Sequence, residues 1–284
     1  MHLNKILLSE RLTDNIKRII IKAPAVADKC LPGQFVIVRV DETGERIPLS
    51  ITDYDRSAGT LTLVFREVGV TTKKLGLLEA GGRVLDLAGP LGRPSEIIKN
   101  GAVIAVGGGL GAAPLFPLVR AHKKSGNYVI TVIGARNSRS LVYRDETGLF
   151  SDELYVVTDD GSEGDKGYVS GTLDRILKDP GRRIDRVICI GPMIMMKTCA
   201  GITRQYGVKT IVSLDTIMVD GTGMCGSCRV SIGDKVKFAC VDGPDFDAEG
   251  INFDELIVRQ QRYRDEEGMA GKIFTGLRNN NEKK

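Results

Sequence analysis

Along the first hundred residues, short β-branched runs alternate with turn signals. IKRIIIKAP, QFVIVRV, IPLSITDY and LTLVFREV are each of strand length and are broken by Pro-Gly, Glu-Thr-Gly and Ser-Ala-Gly. Strands at this spacing, bounded by such turns, predict a small antiparallel barrel over residues 1–98. Over residues 99–213 the pattern changes. AVIAV, YVITVIGAR, LYVVTDD, RVICIGP and KTIVSLD are near-continuous apolar runs with helical stretches between them. That alternation predicts a doubly wound parallel sheet. Residues 214–250 are rich in glycine and cysteine, and residues 251–284 read as a polar helical tail. The expected fold class is therefore a β-barrel plus an α/β domain, with a small appended segment.

At 284 residues the chain is long enough for two domains and an appendage. A net charge of +4, no Trp and only 5% aromatic residues argue against a nucleic-acid platform, which interleaves basic and stacking side chains. No apolar run approaches the ~20 residues of a membrane span. The start MHLNKILLSERL lacks the apolar stretch and small-residue cleavage site of a secretory leader. Six cysteines in so long a chain, three of them clustered, read as metal ligation in a reducing compartment, so the expected location is cytoplasmic.

The cluster is Asp220-GTGM-Cys225-GS-Cys228, followed by Cys240. Plant-type [2Fe–2S] proteins space four cysteines as C-x4-C-x2-C…C, and here Asp220 stands in the first slot. A two-iron cluster needs several ligands from one tight loop and one from outside it. Gly221, Gly223 and Gly226 let the loop fold back and leave N–H groups free to point at sulfur. A hairpin over Arg229–Ile232 and Lys235–Phe238, turning at Gly233-Asp234, would return Cys240 to the loop. A tetrahedral zinc site is the competing reading, since Asp is also a zinc ligand; zinc ribbons, however, usually pair two C-x2-C knuckles and only one is present.

Two glycine motifs suit a dinucleotide. Val106–Pro114, VGGGLGAAP, ends a strand and opens a helix, where backbone can approach a pyrophosphate and the helix N-terminus supplies N–H donors. Ile190–Met196, IGPMIMM, ends a later strand and again places unblocked backbone near a flat ligand. Upstream, RIPLS (Arg46–Ser50) and VFREVGVTT (Val64–Thr72) combine a Ser on a strand, a basic residue and a Gly-x-Thr-Thr turn entering a helix. Arg66 can neutralise phosphate, and Thr71 and Thr72 can bind its oxygens. Each motif alone has an ordinary structural reading: a βα turn, a helix cap, solvated strand-edge charge.

Together they resemble the ferredoxin–NADP reductase superfamily, which joins a flavin barrel with an Arg-x-x-Ser motif to a pyridine-nucleotide domain with GGGxGxxP and a GP-x-x-M ending. With the cysteine loop added, the chain is similar to electron-transfer subunits of dihydroorotate dehydrogenase B. It is still more similar to the small subunits of NADH-dependent reduced ferredoxin:NADP oxidoreductases, also called sulfide dehydrogenase subunits. The discriminating residue is Asp220, where the dihydroorotate branch has cysteine. The resemblance implies FAD on the barrel at Arg46, Pro48, Leu49, Ser50, Phe65, Arg66, Gly69, Thr71 and Thr72. It implies NAD(H) at Gly107, Gly108, Gly109, Gly111, Ala112, Pro114, Ala135, Arg136, Asp159, Gly191, Pro192 and Met195, and a [2Fe–2S] cluster on Asp220, Cys225, Cys228 and Cys240. It further implies hydride exchange between NAD(H) and FAD, and single electrons exchanged with a larger flavin and iron–sulfur partner subunit in a heterodimer, where the partner bifurcates electrons from NADPH between ferredoxin and this chain, which then reduces NAD. A dihydroorotate dehydrogenase subunit and a redox-sensing module are the alternatives. No catalytic acid or base is expected, and His2 and His122 lie outside every motif. Two departures from the family pattern stand out. Ile47, not arginine, precedes Pro48, and Cys189 is one residue out of register with the family's Cys-Gly-Pro.

Overall fold

The computed structural model describes residues 4–281, with side chains through residue 275. The first unit is a six-stranded antiparallel sheet of β1 (Ile6–Thr13), β2 (Ile16–Lys22), β3 (Phe35–Arg39), β4 (Arg46–Asp55), β5 (Thr60–Arg66) and β6 (Asp86–Leu91), in the order β1-β2-β5-β4-β3-β6. β4 serves both halves: Arg46–Ser50 pairs with β3, and Ile51–Asp55 pairs with β5. The two ends approach each other, because Ile6 donates to Gly82 (2.8 Å) and accepts from Gly81 (2.9 Å). Alternation puts Ile19, Ile21, Val36, Val38, Leu61, Leu63 and Phe65 inside. The short helices α1 (Pro24–Lys29) and α2 (Val70–Gly76) lie on connections. The sequence pattern identifies β2 to β5. It misses β1, whose side chains alternate poorly, and β6, which contains Gly89-Pro90.

The second unit follows the strand–helix alternation. β7 (Ala102–Gly108), α3 (Ala112–Lys124), β8 (Tyr128–Ala135), α4 (Arg144–Gly148), β9 (Glu153–Thr158), β10 (Asp165–Lys166), α5 (Val169–Leu177), β11 (Arg186–Ile190), α6 (Met193–Gln205) and β12 (Thr210–Ser213) run in sequence. The sheet order is β10-β9-β8-β7-β11-β12, all parallel. The chain winds outward from β7 to β10, then returns to the other side of β7 at β11. The point where winding reverses therefore lies between β7 and β11, and open α/β sheets bind ligands beyond the carboxyl ends of the strands there.

The cysteine segment adds the hairpin of β13 (Arg229–Ile232) and β14 (Lys235–Phe238), with the expected boundaries and turn. The short helix α7 (Ala239–Asp242) carries Cys240. β15 (Asp245–Asp247) then joins β12 antiparallel, so this segment contributes an edge strand to the nucleotide sheet. The tail forms α8 (Phe253–Gln260) and α9 (Arg264–Asn281). Among the described residues, no helix is long and apolar enough to cross a membrane.

A seam of buried side chains locks the barrel to the nucleotide unit: Ile16 and Val64 from the former, and Ala112, Ala113, Phe116, Ile133, Val142 and Tyr143 from the latter. Two charge pairs span it. Arg120 of α3 makes a bidentate pair with Asp53 of β4 (2.5 and 3.1 Å), and Arg18 of β2 reaches Glu146 of α4 at 3.3 Å.

Candidate functional site

The two glycine turns meet at the carboxyl ends of β7 and β11, whose register pairs Gly107 with Ile190. Gly109 adopts φ +54°, a left-handed conformation that glycine reaches without strain. Gly111 is required for a different reason. Its φ of −61° suits any residue, but a Cβ there would overlap the Ile190 carbonyl, 2.6 Å from its carbon and closer to its oxygen. A Cβ on Gly191 would likewise stand 3.1 Å from Gly108 N. The two turns thus touch backbone to backbone, and α3 begins there with Ala112, fully buried, and Pro114. Met195 lies against both Gly108 and Gly191, whereas Met196 is fully buried in the core behind them. Ala135 and Arg136 close β8 beside Asp159, whose N–H donates to the Ala135 carbonyl at 3.1 Å. Arg136 and Arg139 are exposed and form no ion pair among the described residues.

The barrel motif lies next to this crevice. Arg66, at the end of β5, stands beside the glycine turn, with Nη2 3.4 Å from a Cβ built on Gly109. Its Nε is buried without a hydrogen-bond partner. An unsatisfied guanidinium nitrogen in such a place fits an anionic ligand. Ser50 and Arg46 are exposed, with Arg46 one position before the family's usual arginine. Leu49 and Phe65, in contrast, turn their side chains into the barrel core, so of these two residues only backbone is available to a ligand. The reason is the two-residue period of a strand, which sends Phe65 inward when Arg66 faces out. Thr72 Oγ1 is engaged in its own helix cap, accepting from the Val68 and Gly69 N–H groups at 3.1 Å each. The Thr71 hydroxyl donates to Glu45 at 3.4 Å.

In the cysteine loop Gly221, Gly223 and Gly226 have φ of +77°, +85° and +68°. The loop thereby turns N–H groups onto the Asp220 carboxylate. Thr222 N–H donates to Asp220 Oδ1 at 2.9 Å and Cys225 N–H to Oδ2 at 3.2 Å, holding the Asp220 carboxyl below its ordinary range, with the Thr222 bond the largest cause. Hydrogen bonds from Ser227 lower the Cys225 thiol, favouring thiolate. Cys228 Sγ and Cys240 Sγ are 3.2 Å apart and buried, and Cys240 is pushed up to about 12, first by burial and then by Cys228. Cys228 and Cys240 thus meet through their thiols, whereas Asp220 meets Cys225 through the Cys225 backbone N–H. Among the described residues, no group of three or more His, Cys, Asp or Glu side chains is arranged to hold a metal ion. The loop rests on the barrel: a Cβ on Gly221 would lie 2.8 Å from Ile37 of β3 and 3.2 Å from Leu91 of β6.

Cys30, Cys189 and Cys199 are fully buried, and Cys189 lies in β11 just before the second glycine turn. The adjacent Cys199 thiol, followed by burial, raises Cys189 well above its ordinary value, which leaves it an inert thiol. A cleft of about 940 Å³ between the barrel and α9, lined by Lys17, Lys73 and Phe274 among others, includes none of the glycine-turn or cysteine-loop residues in its lining. Residues with no motif around them also shape the site. Arg93 N–H donates to the Gly243 carbonyl at 2.6 Å and its Nε to the Val241 carbonyl at 3.2 Å, and Ser95 bonds Asp245. These contacts fasten the cysteine segment to the barrel exit across about 150 residues of chain, a separation at which no local signal exists.

Comparison with known proteins agrees with this architecture. Residues 215–252 match the model of the iron–sulfur cluster binding domain of dihydroorotate dehydrogenase B. The chain is 44% identical to the homologue of the dihydroorotate dehydrogenase B (NAD(+)) electron-transfer subunit from Thermotoga maritima, over 96% of this chain and 95% of that one. A chain in the solved structure of the NADH-dependent reduced ferredoxin-NADP oxidoreductase, described for flavin-based electron bifurcation, superposes with a TM-score of 0.91 at 43% identity, covering 97% of this chain and 99% of that one. The ferredoxin reductase of carbazole 1,9a-dioxygenase shares the fold, with a TM-score of 0.59 at 20% identity over 72% of this chain and 65% of that one. The chain belongs to the family of dihydroorotate dehydrogenase B electron-transfer subunits and their homologues.

Proposed function

We propose that this chain is the electron-transfer subunit of an oxidoreductase, which exchanges hydride between NAD(H) and FAD and passes single electrons through a [2Fe–2S] cluster to a larger flavoprotein partner. When bound, the flavin supplies two-electron chemistry with nicotinamide and one-electron chemistry with the cluster. The observation that carries the reading is a chain of two contacts that ends in the flavin motif. Gly221 of the cysteine loop rests on Ile37; Ile37 is the cross-strand partner of Pro48; and Pro48 belongs to the flavin motif. One strand therefore separates the flavin-binding strand from the cluster loop, a short path for an electron.

The residues fit their roles. Arg66, with its unpartnered Nε, neutralises the FAD diphosphate, and exposed Ser50 faces the flavin ring. Backbone of Gly69, Thr71 and Thr72 borders the diphosphate, while the Thr72 hydroxyl keeps the turn in shape. The glycine turns at 107–111 and 191–192 hold the pyridine nucleotide, with Met195 covering its flat face. Each iron of a two-iron cluster would take two protein ligands, and Asp220, Cys225, Cys228 and Cys240 would supply a donor set of three thiolates and one carboxylate. Asp220 in the first slot favours the ferredoxin-NADP oxidoreductase type over the dihydroorotate type. We place the protein in the cytoplasm on its cysteine usage.

Purified chain tests this reading. FAD, iron and acid-labile sulfide should be present at about one, two and two per chain, and NADH should reduce an artificial dye. Flavin-free protein, or a dye reaction that does not need flavin, would sink it.

A further inference from the structure

Helix α8 lies outside the 215–252 stretch that matches the iron–sulfur domain, yet it grips that stretch at three places. Gln260 donates to the Asp215 carbonyl, where the segment begins. The Ser231 hydroxyl of β13 donates to Glu255 at 2.6 Å. Arg259 donates from Nη2 to the Ser227 carbonyl at 2.6 Å and from Nη1 to the Arg229 carbonyl at 3.2 Å. Those two carbonyls belong to the residues on either side of Cys228, which is 1% exposed. The Arg259 side chain is itself only 13% exposed, with Glu255 3.6 Å away. From its other side α8 buries Phe253 and Leu256 in the core that also holds Met193 and Met196 of α6, and Asp254 accepts from Lys197 of α6 at 2.6 Å. The helix therefore joins the nucleotide unit to the cysteine loop.

We propose that Arg259 is a positioning residue for the iron–sulfur centre: it clamps the backbone on both sides of Cys228 and holds a sheltered positive charge beside the cluster. This rests on the cluster reading above. A guanidinium fork can span two carbonyls at fixed separation, whereas an ammonium is a point charge that cannot keep both in place. The charge matters separately. Reducing the cluster adds an electron, and a nearby cation favours the reduced form. With Arg259 gone, the Glu255 carboxylate would keep its Ser231 hydrogen bond but lose the guanidinium 3.6 Å away.

Two substitutions in the full-length, cluster-loaded protein separate clamp from charge. Arg259→Gln should move the cluster midpoint potential to lower values in an EPR-monitored redox titration, and a ferrous chelator should strip iron several-fold faster than from wild type. Arg259→Lys should keep the potential near wild type while iron loss remains fast, because the charge is restored and the fork is not. FAD content should be unchanged in both. A wild-type potential and a wild-type iron-release rate in Arg259→Gln would overturn the proposal. A wild-type protein that binds no iron would instead remove the cluster reading itself, so the two failures are distinguishable.

Discussion

Replacing Gly111 with Ala should open the nucleotide crevice, and the structure sets the scale. The new Cβ would stand 2.6 Å from the Ile190 carbonyl carbon and closer still to its oxygen, where ordinary contact begins near 3.4 Å, so the two turns must part by more than about 0.8 Å. No rotamer change relieves the overlap, because the atoms it meets are backbone. Two effects oppose each other. Gly111 has helical φ, so alanine should gain about 0.4–1 kcal/mol by restricting the unfolded chain. Overpacking against an immovable neighbour typically costs about 1–3 kcal/mol. The clash is severe for its class, so a net loss of about 1–2 kcal/mol is expected, a fall of a few degrees in the unfolding temperature of the nucleotide unit. The effect on turnover should be larger, since a displacement near 1 Å at a reacting pair costs on the order of 100-fold. Thermal unfolding, FAD content and steady-state NADH-dependent dye reduction check this together. We expect unchanged flavin, a modestly lowered melting temperature, and kcat/KM down by tens-fold. Wild-type stability and wild-type kcat/KM in Gly111→Ala would refute the argument that these turns are in functional contact.

Further outcomes follow from the same structure. His122 is 1% exposed, with neither ring nitrogen hydrogen-bonded, and burial followed by the nearby Arg186 lowers it from 6.5 to about 4. Its neutral form is the folded form, so its contribution to stability is full above pH 6.5 and is lost as pH falls toward 4; the loss, about 3 kcal/mol at most, should vanish from the pH–stability profile in His122→Asn. Thr72→Ala removes the hydroxyl that caps its turn, and should lower FAD retention on gel filtration without unfolding the chain, while unchanged flavin content would count against that turn as part of the site. NADH should be preferred to NADPH because no dense basic cluster follows β8; a higher kcat/KM with NADPH would instead assign Arg136 and Arg139 to the 2′-phosphate. Asp220→Cys should retain two irons with altered EPR g-values, since thiolate donates more charge than carboxylate, and an unaltered spectrum would mean that Asp220 only caps its loop.

What the sequence makes readable here is local. The β13–β14 hairpin follows from Gly233-Asp234 between two alternating runs, and β7, β8, β9, β11 and β12 follow from apolar runs interrupted by helices. The glycine turns can be found from spacing, but the reason Gly111 must be glycine appears only when β11 folds beside β7. β15 is three residues long, and nothing in Asp-Phe-Asp announces a strand that completes the parallel sheet. Arg259 is unreadable for the same reason as Arg93: its partners are 30 or more residues distant, and a lone arginine on a polar helix looks solvated until its partners are seen. The motif residues Leu49 and Phe65 show the opposite error. Membership in a conserved-looking run does not say which way a strand side chain points, and both point into the barrel core.

The central claim is that one chain passes electrons from NADH through flavin to a two-iron cluster. An anaerobic NADH titration of the purified chain, followed by flavin absorbance and low-temperature EPR on the same samples, tests it most directly. The account predicts flavin bleaching together with the signal of a reduced two-iron cluster; in Cys228→Ala the cluster signal is lost and the bleaching remains. Flavin that bleaches with no cluster signal, or zinc where iron is expected, would contradict it.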